Sequence, residues 1–165
     1  MKLKRKTLKY GGKFTKRKYS TSREYVKALQ KKAERLWKEL GKLLHGNECE
    51  VKKNYPDLRI THSSIIQGEH CISRRNKYFF LDINNHSSAC SSCNQAKSFG
   101  NKSVHRAIDE IVQKRNPEWF KNAVWLDQSG EPNTKWGKVW WLEEKVEDLE
   151  EMIKEANEQN NPSCG

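Results

Sequence analysis

No run of about 18 apolar residues occurs in this chain, so it reads as lacking a membrane-spanning helix. The basic N-terminus has no apolar stretch behind it and does not read as a secretory signal. Neither a Gly-X-Y period nor a repeat of roughly 20–50 residues appears, which excludes collagen-like and solenoid architectures. Apolar residues are scarce as well, 35% of 165 against 32% charged. That share is low for a globular chain. It allows one domain whose modest core would gain from a bound metal.

Positive charge is abundant. Thirty-two Lys and Arg face 21 Asp and Glu, for a net +11. Residues 1–60 hold 19 basic and 6 acidic side chains, whereas residues 121–165 hold 5 and 10. A basic front half points to a polyanionic partner, nucleic acid being the commonest. Five cysteines are present, Cys49, Cys71, Cys90, Cys93 and Cys164. With no signal segment, a reducing cytoplasmic compartment is expected and disulfides are not. Cys90-Ser-Ser-Cys93 then reads as a metal or redox motif.

Residues 1–20 carry nine Lys or Arg among the first 18 and no acid, and read as a mobile basic arm. The three-and-four spacing of Tyr25, Val26, Leu29, Ala33, Leu36, Trp37, Leu40 and Leu44 predicts an amphipathic helix over 23–44, stopped at Gly46-Asn47. Short strands are expected within 57–66 and over Tyr78–Leu81, with Arg74–Lys77 as a turn between them. A helix follows in the second half of 95–115, ended by Asn116-Pro117. A short helix runs through Trp119 to Trp125, and residues 127–138 form a loop. An acidic helix over 139–158 carries a seam of Leu142, Val146, Leu149 and Ile153. That seam suits a second copy of the chain, as a homodimer, or the rest of the same chain. The tryptophans of the C-terminal third read chiefly as core, with base stacking as the alternative.

The chemistry concentrates between residues 69 and 97. Glu69-His70 is followed at 15 residues by Asn85, then by Cys90-x-x-Cys93-Asn94-x-x-Lys97. In order this is strand, turn, strand, loop, CxxC and helix, with an acid–imidazole pair at one end and an amide at the other. Asn94 taken alone reads equally as a helix N-cap, and Lys97 as ordinary surface. His62, His86 and His105 fall in no motif.

This ordered set resembles the HNH endonucleases, a ββα fold built around one divalent metal. Gly68-Glu69-His70, the aromatic run ending Phe80-Leu81-Asp82, and Cys93-Asn94 followed by Ser98-Phe-Gly-Asn101 resemble the NinG-type phage recombination nucleases in particular. The resemblance covers residues 45–155 and implies an α+β fold, with the ββα-metal core at 47–116. The basic arm (1–20), the helix at 21–46 and a helical extension at 117–165 would flank it. It also implies a DNA endonuclease acting in recombination on branched or nicked DNA, in a bacterial host or phage-infected cell. His70 would be the general base, because an imidazole titrates near working pH. Asn85 would position the loop beside it. Glu69 and Asn94 would supply hard oxygens to Mg²⁺ or Mn²⁺. Arg74, Arg75 and Lys97 would contact phosphates. Glu69 departs from the family's usual Asp or His.

Many HNH domains also hold a structural zinc between two CxxC pairs. Here Cys90 and Cys93 form one pair, and the first is incomplete, because Lys52 stands three residues after Cys49. The fourth ligand is then His45, at the end of the first helix, or Cys71. Cys71 follows His70 on a strand and should face the other way, so Cys49, Cys90, Cys93 and His45 are the expected set. The alternative is a zinc-stabilised DNA-binding module that cuts nothing.

Overall fold

A computed structural model describes residues 22–130 and 132–160; the basic arm at 1–20 and Cys164 lie outside the described residues. The chain begins with helix α1 (Ser22–His45) and a short helix α2 (Glu50–Asn54). Strands β1 (Ile66–His70) and β2 (His86–Cys90) follow, and helices α3 (Ser91–Ser98), α4 (Lys102–Arg115), α5 (Pro117–Ser129) and α6 (Val139–Asn160) complete it. The fold class is α+β: mostly helical, with one two-stranded antiparallel sheet. None of its helices is long and apolar enough to cross a membrane, among the described residues.

Helix α1 buries the predicted stripe, Tyr25, Leu29, Ala33, Leu36, Trp37 and Leu40. It ends where Gly46 adopts φ +79°, a left-handed conformation that glycine takes without a Cβ penalty. The stripe packs on Trp141, Leu142, Val146, Leu149 and Ile153 of α6, with Phe80 and Leu81 closing the layer. The α6 seam is therefore used within the chain, which removes the feature that suited a second copy. A second core gathers Val51, Ala89, Val104, Ile108 and Val112 around Cys49, Cys90 and Cys93. Asn116 joins α4 to α5. Its side chain accepts from the Trp119 amide at 3.1 Å, and Pro117 occupies the first helical turn, where a missing N–H costs nothing.

Both predicted strands are corrected. Of residues 57–66, only Ile66 joins a strand. The aromatic run 78–81 is a turn rather than a strand. Its side chains part company: Phe79 enters a small cluster with Ile72 and Ala123, while Phe80 and Leu81 enter the α1–α6 core. Phe80 and Leu81, consecutive in sequence, share one core, which the alternation of a strand would not allow. Asp82 fixes the turn, accepting from the Asn84 amide at 2.9 Å and, through its backbone carbonyl, from Trp37 Nε1 at 2.9 Å.

The sheet meets α1 very closely. His86 is fully buried and pairs with His70 across the two strands. Burial, with His45 and the Arg115 cation nearby, holds its imidazole neutral, down to about 3. A Cβ on Gly41 would sit 2.2 Å from the His86 ring, and one on Gly68 2.7 Å from it. Two glycines thus let helix and strand close over one ring. Gly41→Ala is expected to cost about 1–3 kcal/mol or more by overpacking. Urea denaturation checks this, and an unchanged midpoint would show that the helix shifts freely.

Candidate functional site

Three thiols and one imidazole converge beneath the sheet. Cys49 caps the N-terminus of α2, its sulfur accepting from the Lys52 amide at 3.5 Å. Cys90 ends β2, and Cys93 lies one turn into α3. The fourth group is His62. Its Nδ1 lies 3.8 Å from Cys49 Sγ, 3.5 Å from Cys90 Sγ and 3.4 Å from Cys93 Sγ, and Cys49 and Cys93 are 3.8 Å apart. All four atoms lie within 4.8 Å of one another. A tetrahedral ion with bonds of about 2.3 Å to sulfur and 2.0 Å to nitrogen needs edges of about 3.5–3.8 Å. Four of the six edges, at 3.4–3.8 Å, are close to that, so this Cys3His group can hold a metal. Its electrostatics agree with that. Burial would raise the Cys90 thiol, but the backbone amides of Cys93 and Ser63 and the His62 ring outweigh it and bring Cys90 down to about 6. Burial and the two neighbouring sulfurs drive Cys93 upward.

His62 replaces His45 in the expected set. His45 stays at the end of α1, where its Nε2 faces Arg115 Nη1 at 3.1 Å. Burial, then the guanidinium, pushes it down to about 4. Arg115 also donates to the His86 carbonyl at 2.7 Å and pairs with Glu50 at 2.5 Å. His45 thus belongs to a network tying α1, α2, β2 and α4. The segment before β1 delivers His62 instead. It is tied back by the Ser91 amide donating to the Ile65 carbonyl at 2.8 Å and by a Ser63–Ser91 hydroxyl contact at 2.6 Å. The available sequence signal was a histidine in a polar stretch between Cys49 and the first strand, where a second ligand would be needed. Cys71, the other alternative, faces away and donates to Asp109 at 3.2 Å.

A separate open cavity of about 380 Å³ is lined by residues of β1, α3 and α4 and of the loop after β1. Glu69, His70, Asn94 and Lys97 line it, and Arg74 and Arg75 stand at its edge. The imidazole of His70 is 2% exposed. It is stacked on Trp37 with centroids 4.1 Å apart and on Phe80 at 5.1 Å. Its Nε2 lies 2.9 Å from the Phe80 carbonyl. A carbonyl only accepts, so Nε2 carries the proton and Nδ1 the lone pair. Nδ1 makes no hydrogen bond among the described residues. Burial, with the Arg74 and Lys97 cations nearby, lowers His70 to about 4.

Lys97 is turned inward, contrary to a phosphate-contacting role. It is 8% exposed. Its ammonium donates to Glu69 Oε1 at 3.0 Å and to the carbonyls of His70 and Cys71. The buried Glu69 carboxylate needs a nearby cation, and Lys97 supplies one. Asn94 donates through Nδ2 to Gln67 Oε1 at 2.7 Å, leaving its Oδ1 uncommitted. Glu69 Oε2 is uncommitted as well. Glu69 and Asn94 thus line the cavity beside His70, each with one side-chain oxygen that makes no hydrogen bond among the described residues.

Asn85 lies outside this cavity. It is fully buried and clamps backbone. Oδ1 accepts from the Ile72 amide at 2.6 Å, and Nδ2 donates to the carbonyls of Ile72 at 3.1 Å and Phe79 at 3.0 Å. It is a positioning residue for the 71–80 loop, whose Phe80 carbonyl holds His70. Asn84 makes a different bond, accepting from Asn116 at 3.2 Å. His105, on the first turn of α4, joins the cavity lining. It belongs to a separate helix, and no local spacing in the sequence links it to Glu69 and His70.

The chain matches no family model, no curated protein and no solved structure.

Proposed function

We propose that this protein is a metal-dependent DNA endonuclease of HNH type with a structural zinc. The carrying observation is that Glu69, His70 and Asn94, from a strand and the helix after it, line one cavity edged by Arg74 and Arg75. On this reading Glu69 Oε2 and Asn94 Oδ1 would hold Mg²⁺ or Mn²⁺, which supplies charge stabilisation at a phosphodiester. His70 Nδ1 takes the proton of the attacking water, with its ring fixed by Phe80 and Trp37. Arg74 and Arg75 hold the flanking phosphates. A zinc held by Cys49, His62, Cys90 and Cys93 would tie the segment before β1 to the start of α3, and so support the elements that carry Glu69 and Asn94. A role in recombination, on branched or nicked DNA, follows from the resemblance to NinG-type nucleases. The net charge of +11 supports a DNA partner.

A second reading, a zinc-stabilised DNA-binding module without cleavage, has its own observation. The stack of Trp37, His70 and Phe80 is equally the environment of a structural histidine. The test incubates supercoiled plasmid and a synthetic four-way junction with the protein and Mg²⁺, Mn²⁺ or EDTA. Cutting is expected with metal and not with EDTA. His70→Ala is expected to lose about 10²–10⁴-fold in rate, the usual worth of a positioned general base. Because His70 is buried, the less buried Asn94→Ala is run beside it, with melting temperature recorded for both. Well-folded wild type that binds DNA and cuts neither form with either metal would establish the binding module.

A further inference from the structure

The outer face of α1 has no packing role, yet it is not randomly charged. At 100° per residue, Arg23, Lys27, Lys31 and Lys38 fall within an arc of roughly 80° on the helix. Glu34 lies inside that arc, and its Oε1 is 2.8 Å from Lys38 Nζ and 4.0 Å from Arg74 Nη1. Arg74 stands at the edge of the Glu69–His70 cavity, so the arc faces the cavity rim. Arg23, Lys27 and Lys31 are exposed and make no ion pair among the described residues. From Glu34 out to Arg23 the helix rises about 16 Å, and the three cations recur about every 6 Å along it. The apolar stripe is on the opposite side, against α6.

We propose that this face of α1 is a ledge for the phosphate backbone of duplex DNA. It would carry one strand outward from the cavity, over Arg74 and along Lys31, Lys27 and Arg23. The direction of the path rests on the nuclease reading of the cavity. The occupant follows from the ledge itself: a straight row of evenly spaced, unpaired cations matches a row of phosphates. Helix α6, rich in acids, repels the same backbone, which confines the duplex to the α1 side.

The test is a fluorescence-anisotropy titration of a labelled duplex at several salt concentrations. It compares wild type with the Arg23→Gln/Lys27→Gln/Lys31→Gln triple variant. Glutamine keeps helix propensity at exposed positions, and circular dichroism verifies the fold. Each lost phosphate contact removes about 0.9 from the slope of log K against log salt, so the triple variant is expected to lose between two and three. Binding at 0.1 M salt should weaken on the order of a hundredfold. A control triple, Lys121→Gln/Lys138→Gln/Lys154→Gln, removes equal charge elsewhere and should leave the slope near that of wild type. An unchanged slope in the ledge variant overturns the proposal. So does an equal loss in both variants, which would mean diffuse attraction, and so does a wild type that binds no duplex. The nuclease reading fails separately. Wild type with a ledge-dependent slope that never cuts keeps the ledge and loses the enzyme. Wild type that cuts with an unchanged slope does the reverse.

Discussion

Stripping the metal from this protein is expected to unfold the half of the molecule that carries the cavity. Cys49, Cys90 and Cys93 are core residues in contact with Val51, Ala89, Ile108 and Val112, so the metal cluster and the second hydrophobic core are one unit. Structural zinc contributes on the order of 10 kcal/mol at neutral pH. That equals or exceeds the whole net stability of an ordinary domain. With an apolar share of 35%, the chain has little in reserve. Purified protein should carry one zinc by elemental analysis. Excess chelator should abolish the cooperative thermal transition followed by circular dichroism, and Cys93→Ser should behave alike. Two further variants assign the fourth ligand. His62→Ala should lower zinc affinity sharply, whereas His45→Ala should leave the zinc content unchanged. Metal-free protein with an unaltered melting curve would sink the structural role.

Replacing Asn85 with alanine is expected to cost on the order of 4 kcal/mol. Three hydrogen bonds vanish at once, and the amide and carbonyl of Ile72 lose their partner inside the protein, while the Phe79 carbonyl keeps only the Asp82 amide. An orphaned buried group costs about 1–3 kcal/mol, and these losses are not independent. The damage also spreads toward the cavity, because the same loop carries the Phe80 carbonyl that holds His70. Asn85→Asp keeps the acceptor for the Ile72 amide but loses both donated bonds. It also sets a buried carboxylate against those two carbonyls, so at neutral pH it should be no more stable than alanine in guanidinium denaturation. A cost below about 1 kcal/mol for Asn85→Ala would mean that water satisfies these groups and the clamp is dispensable.

The parts legible from sequence share one property: their signal is local. Helices α1 and α6 could be read because a 3.6-residue period survives over several turns, and the structure buries most of those side chains, with Leu44 exposed and Val26 half-buried. The Asn116-Pro117 break and the Gly46 stop are single-residue backbone effects, and they too could be read. The aromatic run Tyr78–Leu81 misled because strand propensity describes a half-buried pleat. Here Phe79 packs with Ile72 and Ala123, Phe80 and Leu81 join the α1–α6 core, and Tyr78 stays exposed. The positioning role of Asn85 came from the resemblance to HNH nucleases, and the structure shows its side chain bound to the backbone of Ile72 and Phe79. The inward turn of Lys97 was not legible, because the buried carboxylate that attracts it comes from a strand 28 positions earlier.

The sequence by itself determined a basic chain with a Cys-x-x-Cys pair, and an acid–imidazole–amide series whose order carries the resemblance to HNH nucleases. It also determined the long helices, through their periodicity. Only the tertiary structure decided which histidine faces the three thiols and which cation pairs with Glu69. It also decided that α6 spends its apolar seam on α1. Those choices are made between segments far apart in the chain, where distance and burial select the partner. His45 and His62 are the same imidazole in sequence, and only the fold brings one of them within 4 Å of sulfur.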